Sequence, residues 1–150
     1  MANTTYRELA DAVFLKIKDY SFCEMSESVA YEIVIGYMKP AIVAFQSATQ
    51  DLSDRDDELA EFNFKLSDTT FVILVNYMVL EWLDSNYIKT SAALKARLST
   101  TDFHSLQLSN QLSKAMELRD MLKNENDQLA INKSYKDSKL FEIVANRKKV

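Results

Sequence analysis

The chain has 150 residues, 47% of them hydrophobic and 27% charged, and a formal net charge of −4. That composition belongs to a folded domain and excludes chain-wide disorder; at this length roughly 68–70% of the unfolded surface can be buried. With one glycine and one proline, the residues that tight sheet turns lean on are scarce, so an all-α fold is expected.

Cys23 is the sole cysteine, which excludes an intrachain disulfide and a four-cysteine zinc site. The opening MANTTYRELAD lacks the basic and apolar regions of a signal peptide, so folding in a cytoplasm is expected. Charge is divided along the chain. Residues 1–88 carry 6 Lys/Arg against 15 Asp/Glu (−9), and residues 89–150 carry 12 against 7 (+5). An acidic front and a basic back would attract each other, within one fold or between neighbouring copies; the other reading is ordinary variation of a surface.

From the start, Tyr6, Leu9, Val13, Phe14 and Ile17 make one helical stripe over residues 4–20, with Thr4 or Thr5 as its cap. Residues 21–26 read as a loop. Ser26 then caps a second helix with a stripe of Val29, Ile33, Tyr37, Met38, Ile42 and Phe45. Pro40 removes a backbone donor inside this pattern, so a kink or break is expected near Gly36–Lys39.

Asp51–Glu61 (DLSDRDDELAE) is strongly acidic and superficially resembles a calcium loop. Arg55 in a ligand position, Asp56 where the turn glycine belongs and Phe62 at the twelfth position break that match. Caps, turn chemistry and a solvated acidic face explain these residues better. Phe62, Phe64 and Leu66 then alternate with polar neighbours, the period of an extended piece with one buried side.

Leu66–Tyr87 is the most apolar stretch and holds the only tryptophan, Trp82. Ser67 is its expected N-cap, Asp68 favours the positive helix end, and Leu66 can staple onto Phe71. A helix apolar on nearly every side is buried. The run is too short and too interrupted for a bilayer, which needs about 20 apolar residues, so no membrane partner is expected. Phe71, Leu74, Met78 and Trp82 are the expected core, and substitutions of Trp82 are expected to abolish folding.

A short helix is expected around Thr90–Leu98. Ser99–Asp102 then caps a long helix over about 102–133, with Leu108, Leu112, Ala115, Leu118, Leu122 and Leu129 as one seam that Glu125–Asn126 interrupts. Such a seam suits packing on a core or another subunit. The fold expected is thus an all-α compact bundle, residues 1–134, around a central helix at about 67–87. Residues 135–150 form a tail whose cluster Leu140, Phe141, Ile143 and Val144 precedes Arg147, Lys148 and Lys149. The tail either frays or orders against a partner.

Chemistry is hard to find. His104 is the lone histidine, so no zinc pair can be drawn, and no serine–histidine–acid order is legible. Gly36 alone makes no phosphate loop. The carboxylates of Asp54–Glu58 read as an exposed face, not a cleft that tunes a catalytic acid. Cys23 sits beside Glu24 and Glu27, not in the electropositive setting of a reactive thiolate. The basic residues are spread out with no recognition motif, leaving at most non-specific DNA contact. No enzyme, cofactor or metal is expected.

The order of features resembles that of small head-to-tail connector proteins of the virions of tailed bacteriophages infecting Gram-positive bacteria. The likeness covers roughly residues 5–135. It is carried by Asp51–Leu59, Phe62-Asn63, Leu66-Ser67-Asp68, Glu81-Trp82-Leu83, and Leu98-Ser99 with Asp102-Phe103 before a long polar helix. The resemblance implies a structural protein made in the host cytoplasm and placed at the head–tail junction of the virion. In that group, head–tail adaptors are mainly helical and stoppers and tail terminators mostly β, so the scarcity of glycine selects the adaptor. An adaptor forms a twelve-fold ring of its own copies between the portal protein and the next neck or tail protein, gripping the portal with a C-terminal segment. On this reading Asp54, Asp56, Asp57 and Glu58 of one copy face Lys114, Arg119 and Lys123 of the next, and Leu140, Phe141, Ile143, Val144, Arg147 and Lys148 dock on the portal. The alternative is a cytoplasmic helical scaffolding or regulatory module that binds one partner helix along Leu108–Leu129.

Overall fold

The computed structural model describes residues 2–17, 19–88, 102–138 and Arg147, without the side chains of Tyr20 and residues 102–109. It is a mostly helical packed bundle with one long C-terminal helix. Helix α1 spans Tyr6–Lys16 and begins with a full capping box. The Glu8 N–H donates to the Thr5 hydroxyl at 3.2 Å, and the Glu8 carboxylate accepts from the Thr5 N–H at 2.7 Å. Tyr6, Leu9, Ala10, Val13 and Ile17 are buried. Phe14 is half-buried and packs edge-on against Phe22 and Tyr31. The helix stops at Lys16, short of the expected Tyr20, because Ile17 turns extended.

A 3₁₀ turn, Tyr20–Glu24, occupies most of the expected loop, with Asp19 accepting from the Ser21 N–H at 3.0 Å. The expected second helix is two: α2, Glu27–Ile35, and α3, Met38–Ala44. The break falls at Gly36–Tyr37, where Pro40 dictates it. Proline cannot donate to the carbonyl four residues back, that of Gly36, and its ring crowds it. Within α3 Pro40 sits in the first turn, where a missing N–H costs nothing. The buried side of α2–α3 is Ala30, Val34, Met38, Ala41 and Phe45; Val29 and Ile33, expected inside, are exposed. Two alanines lie on the inner face, so the largest side chains there do not mark it. Ser26 has the extended backbone of a cap but makes no capping hydrogen bond.

The acidic stretch folds into a small hairpin. Strands β1 (Arg55–Asp56) and β2 (Glu61–Phe62) pair antiparallel, with Arg55 opposite Phe62 and Asp56 opposite Glu61. The N-terminal segment lies alongside β2. Thr5 bridges Glu61, the Phe62 N–H donates to the Thr4 carbonyl at 2.9 Å, and the Leu66 N–H donates to the Thr4 hydroxyl at 3.0 Å. Phe62 and Leu66 are buried and Phe64 half-buried, as alternation predicts.

Helix α4, Asp68–Leu83, is the centre of the bundle, packed by α1, α3 and the long C-terminal helix. Ser67 caps it through the Thr70 N–H at 3.3 Å. Leu74 and Met78 are fully buried, which is worth roughly 1.5–3 kcal/mol each. Trp82 is buried apart from its edge; its indole N–H donates to Asp19 at 3.1 Å and its ring meets Tyr87 edge-on. Phe71, expected in the core, is only partly buried, because it lies in the first turn at the stapling position above Leu66. One wider π-type turn, Asp84–Ile88, continues α4.

Helix α5, Asp102–Asp137, runs past the expected end at Lys133 and through the expected division at Ser134. Its last turn is held by the Lys133–Asp137 ion pair at 2.8 Å and by the Thr49 hydroxyl, which donates to Asp137 at 2.6 Å. The inward side keeps only part of the leucine seam expected, Leu122 packing on the core and Leu112 and Ala115 half-buried. Leu118 and Leu129 are exposed, whereas Asn126, expected to interrupt the seam, is 2% exposed and the most buried polar residue of α5 among the described residues. The inner line is Arg119, Leu122, Lys123, Asn126, Asp127 and Ala130, mostly polar and therefore invisible to a search for apolar periodicity. The expected helix at Thr90–Leu98, the cap residues Ser99–Thr101 and the Leu108 and His104 side chains lie outside the described residues. Among the described residues, no helix is long and apolar enough to cross a membrane.

Candidate functional site

Three surfaces are distinguishable by what their side chains are already doing. The first is the hairpin tip, Asp57–Ala60. Asp56 Oδ1 accepts from the Glu58 N–H at 2.8 Å and the Leu59 N–H at 3.1 Å, a carboxylate capping its own turn. Asp57 is tied back to the body: the Tyr6 hydroxyl donates to Oδ1 at 2.7 Å and the Lys39 ammonium to Oδ2 at 3.0 Å. Arg55 Nε lies 3.5 Å from Asp57 but is too poorly aligned for a hydrogen bond. The Tyr6 hydrogen bond, then Lys39, hold the Asp57 carboxyl below its ordinary range; burial and the same hydrogen bond push the Tyr6 phenol up. Asp54 accepts from the Asn63 amide at 2.7 Å. Glu58 and Leu59 point outward, Leu59 being 68% exposed. Ala60 takes a left-handed backbone, φ 54°, as the hairpin closes. Of the four acidic residues expected at an interface, Asp54, Asp56 and Asp57 each accept a hydrogen bond within the chain, and Glu58 projects into solvent.

The second surface is the inner line of α5. The Arg119 guanidinium binds Asp84 at 3.0 Å and 3.3 Å. Lys123 pairs with Asp127 at 2.7 Å, and the Tyr77 hydroxyl donates to the same carboxylate at 2.6 Å. Burial pushes Asp127 up, but the hydrogen bonds from Lys123 and Tyr77 outweigh it and hold the carboxyl low. Burial, then Asp127, pushes Tyr77 up. Deeper, the Asn126 amide donates to the Ile73 carbonyl at 3.1 Å, its oxygen accepts from the Asn76 amide at 3.1 Å, and Lys16 donates to Asn76. One polar chain therefore crosses from α1 through α4 to α5. The attraction between the acidic front and basic back is used within the fold, at Arg119–Asp84. Arg119 and Lys123, expected to face a neighbouring copy, each hold a partner within the chain and remain part-exposed, their side chains 33% and 45% accessible. Lys114 alone of the three is exposed.

The third surface is the outer side of α5, where Leu118, Met121 and Leu129 are 46%, 51% and 46% exposed. Of the residues expected to dock on a portal, Leu140, Phe141, Ile143, Val144 and Lys148 lie outside the described residues, and Arg147 is exposed. Among the described residues no group of three or more His, Cys, Asp or Glu side chains is placed to hold a metal ion. The recess where Tyr77, Lys123 and Asp127 meet the end of α3 is lined by charges already paired with each other.

Compared with protein-family models, curated proteins and solved structures, the chain matches none of them.

Proposed function

We propose that the chain is an assembling structural protein, a head–tail adaptor whose copies form a ring between the portal and the rest of a phage neck, and not an enzyme. The reading rests on the resemblance in feature order. The observation that best supports an assembly role is the hairpin: Glu58 and Leu59 project from a turn that Asp56 caps and Asp57 ties to the body. A projecting tip whose base is fixed loses little conformational entropy on docking. The basic side of a ring contact comes from the exposed Lys114 together with Arg119 and Lys123, whose internal pairs leave them part-exposed. A heterologous contact of that kind closes a ring.

The test is assembly on portal-bearing particles. The full chain should join them in a salt-sensitive manner, and E58K and D54K should fold but fail to join. Deleting residues 139–150 should leave the folded bundle and remove portal attachment. Joining that ignores both ionic strength and charge reversal overturns the reading.

The exposed Leu118, Met121 and Leu129 favour a second reading, a cytoplasmic helical module that grips one partner helix. It is distinguished by a stable complex with a single protein and no association with a portal.

A further inference from the structure

The outer side of α5 carries a pattern that reads the same in both directions. At alternating spacings of three and four, the exposed line runs Gln111, Lys114, Leu118, Met121, Glu125, Gln128. Fold the line back on itself between Arg119 and Asp120 and each residue meets a partner of suitable chemistry: Leu118 meets Met121, Lys114 meets Glu125, and Gln111 meets Gln128. We infer that this line is a self-pairing site, on which α5 of a second copy lies antiparallel about a two-fold axis.

Three observations carry the assignment. The line lies outside the packed face of α5: its residues are exposed, whereas Leu122, Asn126 and Ala130 pack inward, with Leu118 flanking Leu122 one turn away. Lys114 and Glu125 make no ion pair among the described residues, although their neighbours Arg119, Lys123 and Lys133 all do. And the charges select the register. The Leu118–Met121 register sets Lys114 against Glu125 on both sides of the axis. In antiparallel helix pairs such flanking charges decide orientation and alignment. A two-fold contact is isologous, so each favourable layer occurs twice. With two apolar layers at its centre the pair is weak and forms only at high protein concentration. It leaves the hairpin free but occupies Lys114, which the ring contact also uses, so the two contacts compete for that residue; the ring is tested on particles and this contact on the isolated chain.

The experiment is sedimentation equilibrium of the full chain over a wide concentration range. A reversible monomer–dimer equilibrium is expected. K114E and E125K, each placing two like-charge pairs across the axis, should each weaken it by about tenfold or more, and K114E/E125K should restore it. L118D should abolish it, and the charge reversals at the exposed Lys114 and Glu125 should leave the thermal midpoint in place. In a C23S background, a mixture of L118C and M121C chains should form the mixed disulfide faster than either chain alone, which separates the antiparallel register from a parallel one. A monomer at all concentrations, single reversals without effect, or failure of the double reversal to recover the dimer overturns the inference.

Discussion

Asn126 and Asn76 meet at 3.1 Å in the centre of the bundle, each bonded at its other end, Asn126 to the Ile73 carbonyl and Asn76 to Lys16. A buried amide with both functions satisfied fixes how one helix sits against another, since sliding α5 by a residue leaves donors and acceptors unpaired in a dry place. Asn126→Ala should therefore destabilise by about 1–3 kcal/mol. In a double-mutant cycle with Asn76→Ala, chemical denaturation should give a coupling of at least about 0.5 kcal/mol. Additive losses would mean the two amides act independently.

Stability should fall at both ends of the pH range. Asp57, Asp19 and Asp127 titrate below their ordinary range in the folded chain. As pH drops, the unfolded chain takes up protons first, so their contribution is complete above about pH 4 and disappears below it. Tyr6 and Tyr77 are shifted up, so their contribution is complete below about pH 10 and disappears above it. Tyr77→Phe should cost about 1–2 kcal/mol at neutral pH and flatten the alkaline fall. A thermal-midpoint profile whose alkaline limb is the same in Tyr77→Phe and wild type contradicts this assignment.

The hairpin carboxylates should not behave alike. Asp57→Asn weakens the tie to Tyr6 and Lys39 and should lower the thermal midpoint by a few degrees. Glu58→Lys, at the exposed tip, should leave the midpoint within error. Equal effects would deny that Asp57 is the anchor.

Ala60 occupies a backbone region where a side chain costs roughly 1–2 kcal/mol. Glycine has no such penalty but loses more freedom on folding, about 0.5–1 kcal/mol. Ala60→Gly should consequently be neutral or stabilising by up to about 1 kcal/mol, measured by urea denaturation, where most substitutions to glycine destabilise.

Trp82→Ala should cost about 3–5 kcal/mol and leave little folded protein, while Trp82→Phe should fold with a smaller loss. If circular dichroism shows both unfolded, the indole hydrogen bond to Asp19 matters more than the volume of the ring.

Much of this architecture was legible before any coordinates. Thr5, Ser67, the Pro40 break and the burial of Leu74 and Met78 follow from local rules of capping, proline geometry and apolar density, each contained in a few neighbouring residues. The hairpin was half legible: alternation at Phe62–Leu66 predicts an extended piece, but its partners, Thr4–Thr5 and Arg55–Asp56, come from other parts of the chain. The inner face of α5 is legible only in part, at Leu112, Ala115 and Leu122, for a physical reason. Periodicity searches follow apolar atoms, and this helix turns Asn126, Asp127 and Arg119 inward because Asn76, Tyr77 and Asp84 await them. Polar complementarity between distant segments is a pair property and cannot be read from either segment alone. Sharing among the acidic residues followed the same logic, since Lys39 and Tyr6 decide which aspartate is engaged.

The strand-like contact of Asn3–Thr5 with Glu61–Leu66 bears on how quickly the chain folds. Thr4 and Leu66 are 62 positions apart, so the segment that leads into α4 is completed only when the first residues return across a long loop. Closing such a loop is entropically unfavourable before any contact repays it. Helical bundles built from neighbouring contacts fold in microseconds to milliseconds, and non-local pairing slows that. The chain should accordingly fold more slowly than its helix content suggests, and a shortened N terminus should slow it or leave the lead-in to α4 unformed.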